Sequence, residues 1–196
     1  MERIKGGARE RFLVDVLPLE LISKEGNEGD IHKVDAVIVS KSGATRGRQM
    51  AEKAFRPLGS PPLTQNWKDP ARQVEYMQEL KDLNRRENLG LRLPATYRLR
   101  DSFDGRSAPM RWFLKFRRWM TGSSDGLSII MTKLDTVNEL DEGSRRDFQE
   151  DYDRQVAASK PYGFYIAHDA FQPCRDGKSG RIVAVLSDLG NCEKTG

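Results

Sequence analysis

Two aspartates near the end of the sequence each follow a short apolar segment. Asp169 comes after residues 162–167 and Asp188 after Ile182–Leu186, so the carboxylates are 19 positions apart. Segments of this length, rich in β-branched and aromatic residues and bounded by Gly, Asp and Ser, predict buried strands. Two strands that each end in a carboxylate indicate a site for metal binding or proton transfer. Alternatively, both aspartates only cap turns, as most aspartates after strands do.

Lys53 is the cation that such a site could use. It lies in residues 49–55, a predicted strand in which alternation places it on one face with Ala51 and Phe55. It is either a charge on an edge strand, with its ammonium group in water, or a cation that is required in the interior of the fold. Glu75 and Glu79 lie one helical turn apart in the next element, and either could reach a lysine on an adjacent sheet, although most helix glutamates are solvated.

The elements that position these residues follow from periodicity and turn signals. Strands are predicted over residues 12–22, 31–39, 49–55, 96–99 and 127–131, the first three as an antiparallel meander. A helix is predicted to begin at Asp69-Pro70 and to stop near Gly90. Its predicted apolar stripe is Val74, Met77, Leu80 and Leu83. A second helix is predicted over residues 144–159, with Ser144 as its N-cap.

Residues 111–120 predict a short basic amphipathic helix. Its apolar side chains are Trp112, Phe113, Phe116, Trp119 and Met120, and its cations are Arg111, Lys115, Arg117 and Arg118. Three interpretations stay open: it packs on the body of the fold, lies on a membrane surface, or docks an acidic partner. Packing is favoured, because exposing two Trp and two Phe would invite aggregation.

The order of these parts resembles the protein-kinase fold, from about residue 16 to residue 191. The segment 26–34 (GNEGDIHKV) is similar to a degraded glycine-rich loop, and residues 51–53 (AEK) are similar to the A-x-K of the third strand. Residues 127–134 (LSIIMTKL) resemble the fifth strand entering the hinge. Asp169 falls at the catalytic-loop aspartate, and residues 188–190 (DLG) are similar to the family's D-F-G.

The resemblance implies an α+β, protein-kinase-like fold: a five-stranded antiparallel N-lobe with one main helix (residues 1–134) and a much reduced C-lobe (135–196). It implies ATP and Mg²⁺ as cofactors, with Asp169 and Lys53 catalytic and Asp188 and Gln172 as metal ligands. The implied cofactor-binding residues are Gly26, Gly29, Val34, Ala51, Lys53, Glu75, Met131 (the gatekeeper), Thr132 and Leu134.

Some positions depart from the family pattern. Glu28 replaces a loop glycine, and Cys174 occupies the position of a metal-binding asparagine although a thiol is a poor Mg²⁺ ligand. The chain also stops six residues after Gly190. Three functions are therefore considered: a compact phosphotransferase acting on a protein hydroxyl, a pseudokinase interaction module, and a basic adaptor docking an acidic partner through Arg111 to Met120.

Composition limits the class of protein. The hydrophobic content of 37% and the charged content of 32% suit a globular protein. The net charge of +4 permits an anionic partner but does not demand nucleic acid. No apolar run approaches the ~20 residues that span a bilayer, and no secretory signal is evident. Two cysteines favour a reducing, cytoplasmic compartment. An effector translocated into a host cytosol is an open alternative.

Overall fold

The computed structural model describes residues 2–4, 11–23, 29–40, 45–55, 70–103, 106–121, 124 and 126–195, and over these residues the protein is an α+β structure. The helices are α1 (Pro70–Glu87), α2 (Ala108–Thr121) and α3 (Glu142–Ser159). The strands are β1 (Glu2–Ile4), β2 (Arg11–Ser23), β3 (Gly29–Ser40), β4 (Thr45–Phe55), β5 (Tyr97–Asp101), β6 (Leu127–Thr132), β7 (Phe164–Tyr165), β8 (Phe171–Arg175), β9 (Ile182–Leu186) and β10 (Glu193–Lys194).

The largest sheet confirms the five strands predicted from alternation. Within the described residues its order is β1-β2-β3-β4-β6-β5, and the short strand β1 adds a sixth member that was not predicted. The β3–β4 register is unbroken from the pair Gly29–Phe55 to the pair Val39–Thr45. Because β4 also pairs with β6, it is an interior strand.

The helix predicted after Asp69 is confirmed as α1, which ends at Glu87, before Gly90. Its buried side chains recur every three to four residues and are Gln73, Tyr76, Met77, Leu80 and Leu83. Val74 is only half-buried, so the predicted stripe is wrong by one position at its start. Tyr76 packs edge-on against Phe164, with ring centroids 5.9 Å apart.

The C-terminal part consists of α3 followed by short strand pairs, β7 with β10 and β8 with β9. The predicted cap of α3 is wrong: Asp141 is the N-cap, and its side chain accepts a hydrogen bond from the backbone N–H of Ser144 at 2.7 Å. The strand predicted over 162–167 is also shorter than expected, since Lys160–Tyr162 is a 3₁₀ turn.

The helix predicted over residues 111–120 is confirmed as α2, but the favoured interpretation, that its aromatic face packs inside, is wrong. Trp112 and Trp119 are 67% and 75% exposed. The opposite side of α2 is fastened to the end of β5, where Asp101 accepts from Arg118 at 2.7 Å and pairs with Lys115 at 3.3 Å. Burial opposes ionisation of Asp101, but its hydrogen bonds and ion pairs outweigh burial and lower the pKa of this carboxyl below 3.8.

The chain divides into two compact units. The first comprises Met1–Leu63 and Arg98–Lys133, and the second comprises Thr64–Tyr97 and Leu134–Gly196. Helix α1 therefore belongs to the second unit, together with α3 and β7–β10. The division into lobes at residue 134 stays a prediction. In the described part of the chain, no helix has the length and hydropathy needed to cross a bilayer.

Candidate functional site

The β8–β9 hairpin of the second unit brings Asp169 and Asp188 to the same end. Phe171 opens β8 opposite Leu186, the last residue of β9. The carbonyl oxygen of Ala170 accepts from the backbone N–H of Ser187 (2.9 Å) and of Asp188 (3.1 Å). These bonds hold the segments that carry the two aspartates side by side, the arrangement that the sequence predicts.

Asn191 connects the two segments further. Its Nδ2 donates to Oδ2 of Asp169 at 3.0 Å, while the backbone N–H of Gly190 donates to Oδ1 of Asp188 at 2.9 Å. The second bond closes a local turn, so the turn-capping role left open by the sequence does apply to Asp188. Asn191 was not predicted as a site residue, because an asparagine after D-L-G is also an ordinary turn residue.

A second pair of strands closes the same region. The chain returns after Asn191 to form β10, in which Glu193 lies opposite Tyr165 and Lys194 opposite Phe164 of β7. The strand before Asp169 is thus bound to the strand after Asp188. His168, just before Asp169, packs its ring against Tyr152 of α3 with centroids 4.7 Å apart.

A buried polar network ties β9, and with it Asp188, to α3. The side chain of Gln155 is fully buried; its Nε2 donates to the carbonyl of Ala184 at 2.7 Å, and its Oε1 accepts from the backbone N–H of Arg92 at 2.7 Å. Oδ2 of Asp151 accepts from the backbone N–H of Ala184 at 2.9 Å. The central residue of β9 therefore has both backbone groups bonded to α3.

Strand β8 carries Gln172 and Cys174, two positions that the kinase resemblance relates to metal binding. Gln172 is exposed and lies opposite Val185 of β9. The role of Gln172 as a metal ligand beside Asp188 stays a prediction. Cys174 is buried, and burial together with nearby Asp135 raises the pKa of its thiol to about 11.

Lys53 lies in the first unit and is only 5% exposed. The edge-strand interpretation is wrong, because β4 is an interior strand with Ile31 on one side of Lys53 and Ile129 on the other. Nζ of Lys53 lies 5.4 Å from the centroid of the Phe55 ring, which shares its face of the strand. The lysine is therefore a buried cation and not a surface charge.

The strand register places the predicted cofactor-binding residues Ala51, Met131 and Val34 on two different faces of this sheet. Ala51 pairs with Met131, and alternation places both on the face of Lys53. Val34 pairs with Met50 and so lies on the opposite face. The assignment of Val34 to the same pocket is wrong for this reason.

The other predicted binding residues are placed as follows. Gly29 opens β3 opposite Phe55, Thr132 closes β6 and is half-buried, and Leu134 is half-buried in the second unit. Gly26 lies outside the described residues. Glu75 is exposed on α1 and pairs with Arg72 one turn away at 2.9 Å.

Asp169, Asp188 and Asn191 bring oxygen atoms of the kind that Mg²⁺ prefers. Among the described residues no group of three or more His, Cys, Asp or Glu could hold a metal ion. Carboxylates are the type of side chain through which Mg²⁺ binds together with substrate phosphates, and Mg²⁺ as a cofactor stays a prediction. No protein-family model, curated protein or solved structure matches this chain.

Proposed function

We propose that this protein is a compact, protein-kinase-like phosphotransferase that uses ATP and Mg²⁺ to phosphorylate a protein hydroxyl. The observation that carries the proposal is that backbone hydrogen bonds from Ser187 and Asp188 to the carbonyl of Ala170 hold the segments of Asp169 and Asp188 side by side. Asn191 also bonds the Asp169 carboxylate. The order of the five long strands, with α1 inserted between β4 and β5, supports the resemblance from which the proposal came.

In this proposal each carboxylate has its own role. Asp169 accepts the proton of the attacking hydroxyl, and Asn191 orients the Asp169 carboxylate through its amide donor. Asp188 would hold Mg²⁺, which when bound with ATP neutralises charge on the phosphates. Lys53 would bind phosphate oxygens as a point charge, and its surroundings of Ile31 and Ile129 would strengthen that attraction relative to water.

Radiolabelled ATP tests the proposal directly. The chain is incubated with γ-labelled ATP, Mg²⁺ and dephosphorylated casein, and both casein and the chain itself are counted for label. We expect Asp169→Ala to lower transfer by about 100-fold or more and Asn191→Ala by a smaller factor. The matched control is Asp153→Ala, an exposed aspartate on α3 whose bond is to Gln149 on the same helix.

Absence of transfer by the intact chain, or transfer that Asp169→Ala leaves unchanged, would refute the enzymatic proposal. Transfer of label by Asp188→Asn at the wild-type rate would exclude Asp188 as the ligand of Mg²⁺. Circular dichroism of each variant shows whether the loss comes from unfolding.

A second candidate is a pseudokinase, an interaction module without catalysis. Cys174 favours it, because the residue at the position of a metal-binding asparagine is a buried thiol with a raised pKa. Thermal unfolding with Mg²⁺ and ATP separates the candidates, since a ligand at 100 times its Kd stabilises the folded state by about 2.7 kcal/mol. If ATP and Mg²⁺ stabilise the protein, Lys53→Met abolishes this stabilisation, and no phosphate is transferred to casein, the protein is a pseudokinase.

A further inference from the structure

Helix α2 presents a continuous aromatic face to solvent. Its exposed apolar side chains are Met110, Trp112, Phe113, Phe116, Trp119 and Met120, between 44% and 75% exposed. The rings of Trp112 and Phe116 are stacked with centroids 5.3 Å apart, and Phe116 and Trp119 follow at 5.9 Å. Contiguous exposed patches of this kind mark interaction sites.

The charges on α2 are all of one sign. Its sequence, APMRWFLKFRRWMT, contains four cations and no carboxylate. At 100° per residue, Lys115 lies about 40° beyond Trp119 on one border of the aromatic face, and Arg117 lies about 40° beyond Phe113 on the other. Lys115 is paired with Asp101, but exposed Arg111 lies further along the same side, so exposed arginines lie outside both borders of the aromatic face.

The orientation of α2 is set by its opposite side. Arg118 and Lys115 contact Asp101 at the end of β5, and the Arg118 guanidinium lies 5.2 Å from the centroid of the Phe103 ring. Leu114 is half-buried on the same side. These contacts hold the aromatic face away from the sheet.

We propose that α2 binds the surface of an anionic phospholipid bilayer, lying in the plane of the interface. Trp and Phe enter the boundary between headgroups and acyl chains, while exposed Arg111 and Arg117 contact acidic headgroups. A planar anionic surface is favoured over a protein groove because the apolar face is the convex side of one helix that contains no carboxylate and has exposed arginines on both sides of that face. This inference does not depend on the proposed phosphotransferase activity.

Vesicle sedimentation tests the apolar part of the proposal. The full chain is mixed with vesicles of phosphatidylcholine, alone or with phosphatidylserine, and the bound fraction is measured. We expect binding to the acidic vesicles, weakened about tenfold or more by Trp112→Ser with Trp119→Ser. The matched control, Tyr162→Ser with Tyr165→Ser, removes two exposed aromatic side chains from the second unit and should leave binding unchanged.

Charge reversal tests the electrostatic part. Arg111→Glu with Arg117→Glu should weaken binding to acidic vesicles about tenfold or more, and added salt should weaken wild-type binding. The control Arg86→Glu with Arg146→Glu makes the same charge change at exposed positions of α1 and α3 and should have a much smaller effect. In a Trp67→Phe background, Trp112 and Trp119 emission should shift to the blue on vesicle addition, which reports binding without altering the helix.

Other outcomes would overturn the proposal. Failure to bind either vesicle, or equal binding by the aromatic double variant, excludes the bilayer as the occupant. Tighter binding to poly-glutamate than to acidic vesicles would indicate an acidic polypeptide instead. A dimer in sedimentation velocity that becomes a monomer in the aromatic double variant, without vesicle binding by wild type, would show that the face pairs two copies of the chain.

Discussion

Replacing Gln155 by leucine tests whether the buried polar network holds β9 on α3. The leucine side chain has a similar size but cannot bond the carbonyl of Ala184 or the backbone N–H of Arg92, which Gln155 satisfies at 2.7 Å each. A buried backbone group left without a partner costs about 1–3 kcal/mol, so two such groups cost about 2–6 kcal/mol. Burial of the leucine offsets about 1 kcal/mol of this. We expect the free energy of unfolding to fall by about 1–5 kcal/mol.

The measurement has a global and a local part. Urea unfolding followed by far-UV circular dichroism gives the loss of stability, and hydrogen exchange of peptides containing Ile182–Leu186 shows whether β9 is the segment that loosens. The matched control is Gln149→Leu, the same substitution on the same helix. Gln149 is exposed and bonds Asp153 one turn away, so its loss should cost less than about 0.5 kcal/mol.

Two results would refute this role of Gln155. One is unfolding of Gln155→Leu within about 0.5 kcal/mol of wild type, and the other is exchange of β9 at the wild-type rate while another segment loosens. Either result would mean that apolar packing alone positions β9, and hence Asp188.

Three further predictions concern single groups. Asp101→Asn should destabilise the protein at neutral pH, and the difference in stability from wild type should disappear as the pH falls below 3.8. The reason is that a carboxyl whose pKa is lowered in the folded state stops stabilising that state once it is protonated. Urea unfolding at several pH values measures this difference. Cys174, whose thiol pKa is raised to about 11, should react with iodoacetamide at pH 8 only after unfolding, as about one thiol in a thousand is ionised there. Gly163→Ala should cost about 1–3 kcal/mol in urea unfolding, because its φ is +80° and a Cβ would overlap the carbonyl oxygen of Thr195, whereas Gly177→Ala meets no neighbour within 4 Å.

The sequence predicted most of the secondary structure because those signals are local. Alternation located β2, β3, β4, β5 and β6, and the Asp69-Pro70 start located α1. Strand β8 was missed, because Gln172 and Pro173 interrupt the alternation that identifies strands. The spacing of Asp169 and Asp188 suggested a pair, but their approach depends on the register of the hairpin that β8 forms.

Burial was harder to predict than element type. Periodicity identified the aromatic face of α2 but contained no information about what covers it, and the sheet contacts the opposite side. Lys53 allowed two interpretations until the pairing of β4 with both β3 and β6 made it interior. Val34 was assigned from a motif, and the β3–β4 register places it on the other face.

The amino-acid sequence by itself determined the five longer strands of the large sheet and the helices, since these depend on neighbours a few residues apart. Only the tertiary structure decided that Gln155 and Asp151, polar residues on a helix, turn inward. They do so because the backbone of Ala184, which lies far away along the chain, supplies the hydrogen-bond partners that their burial requires.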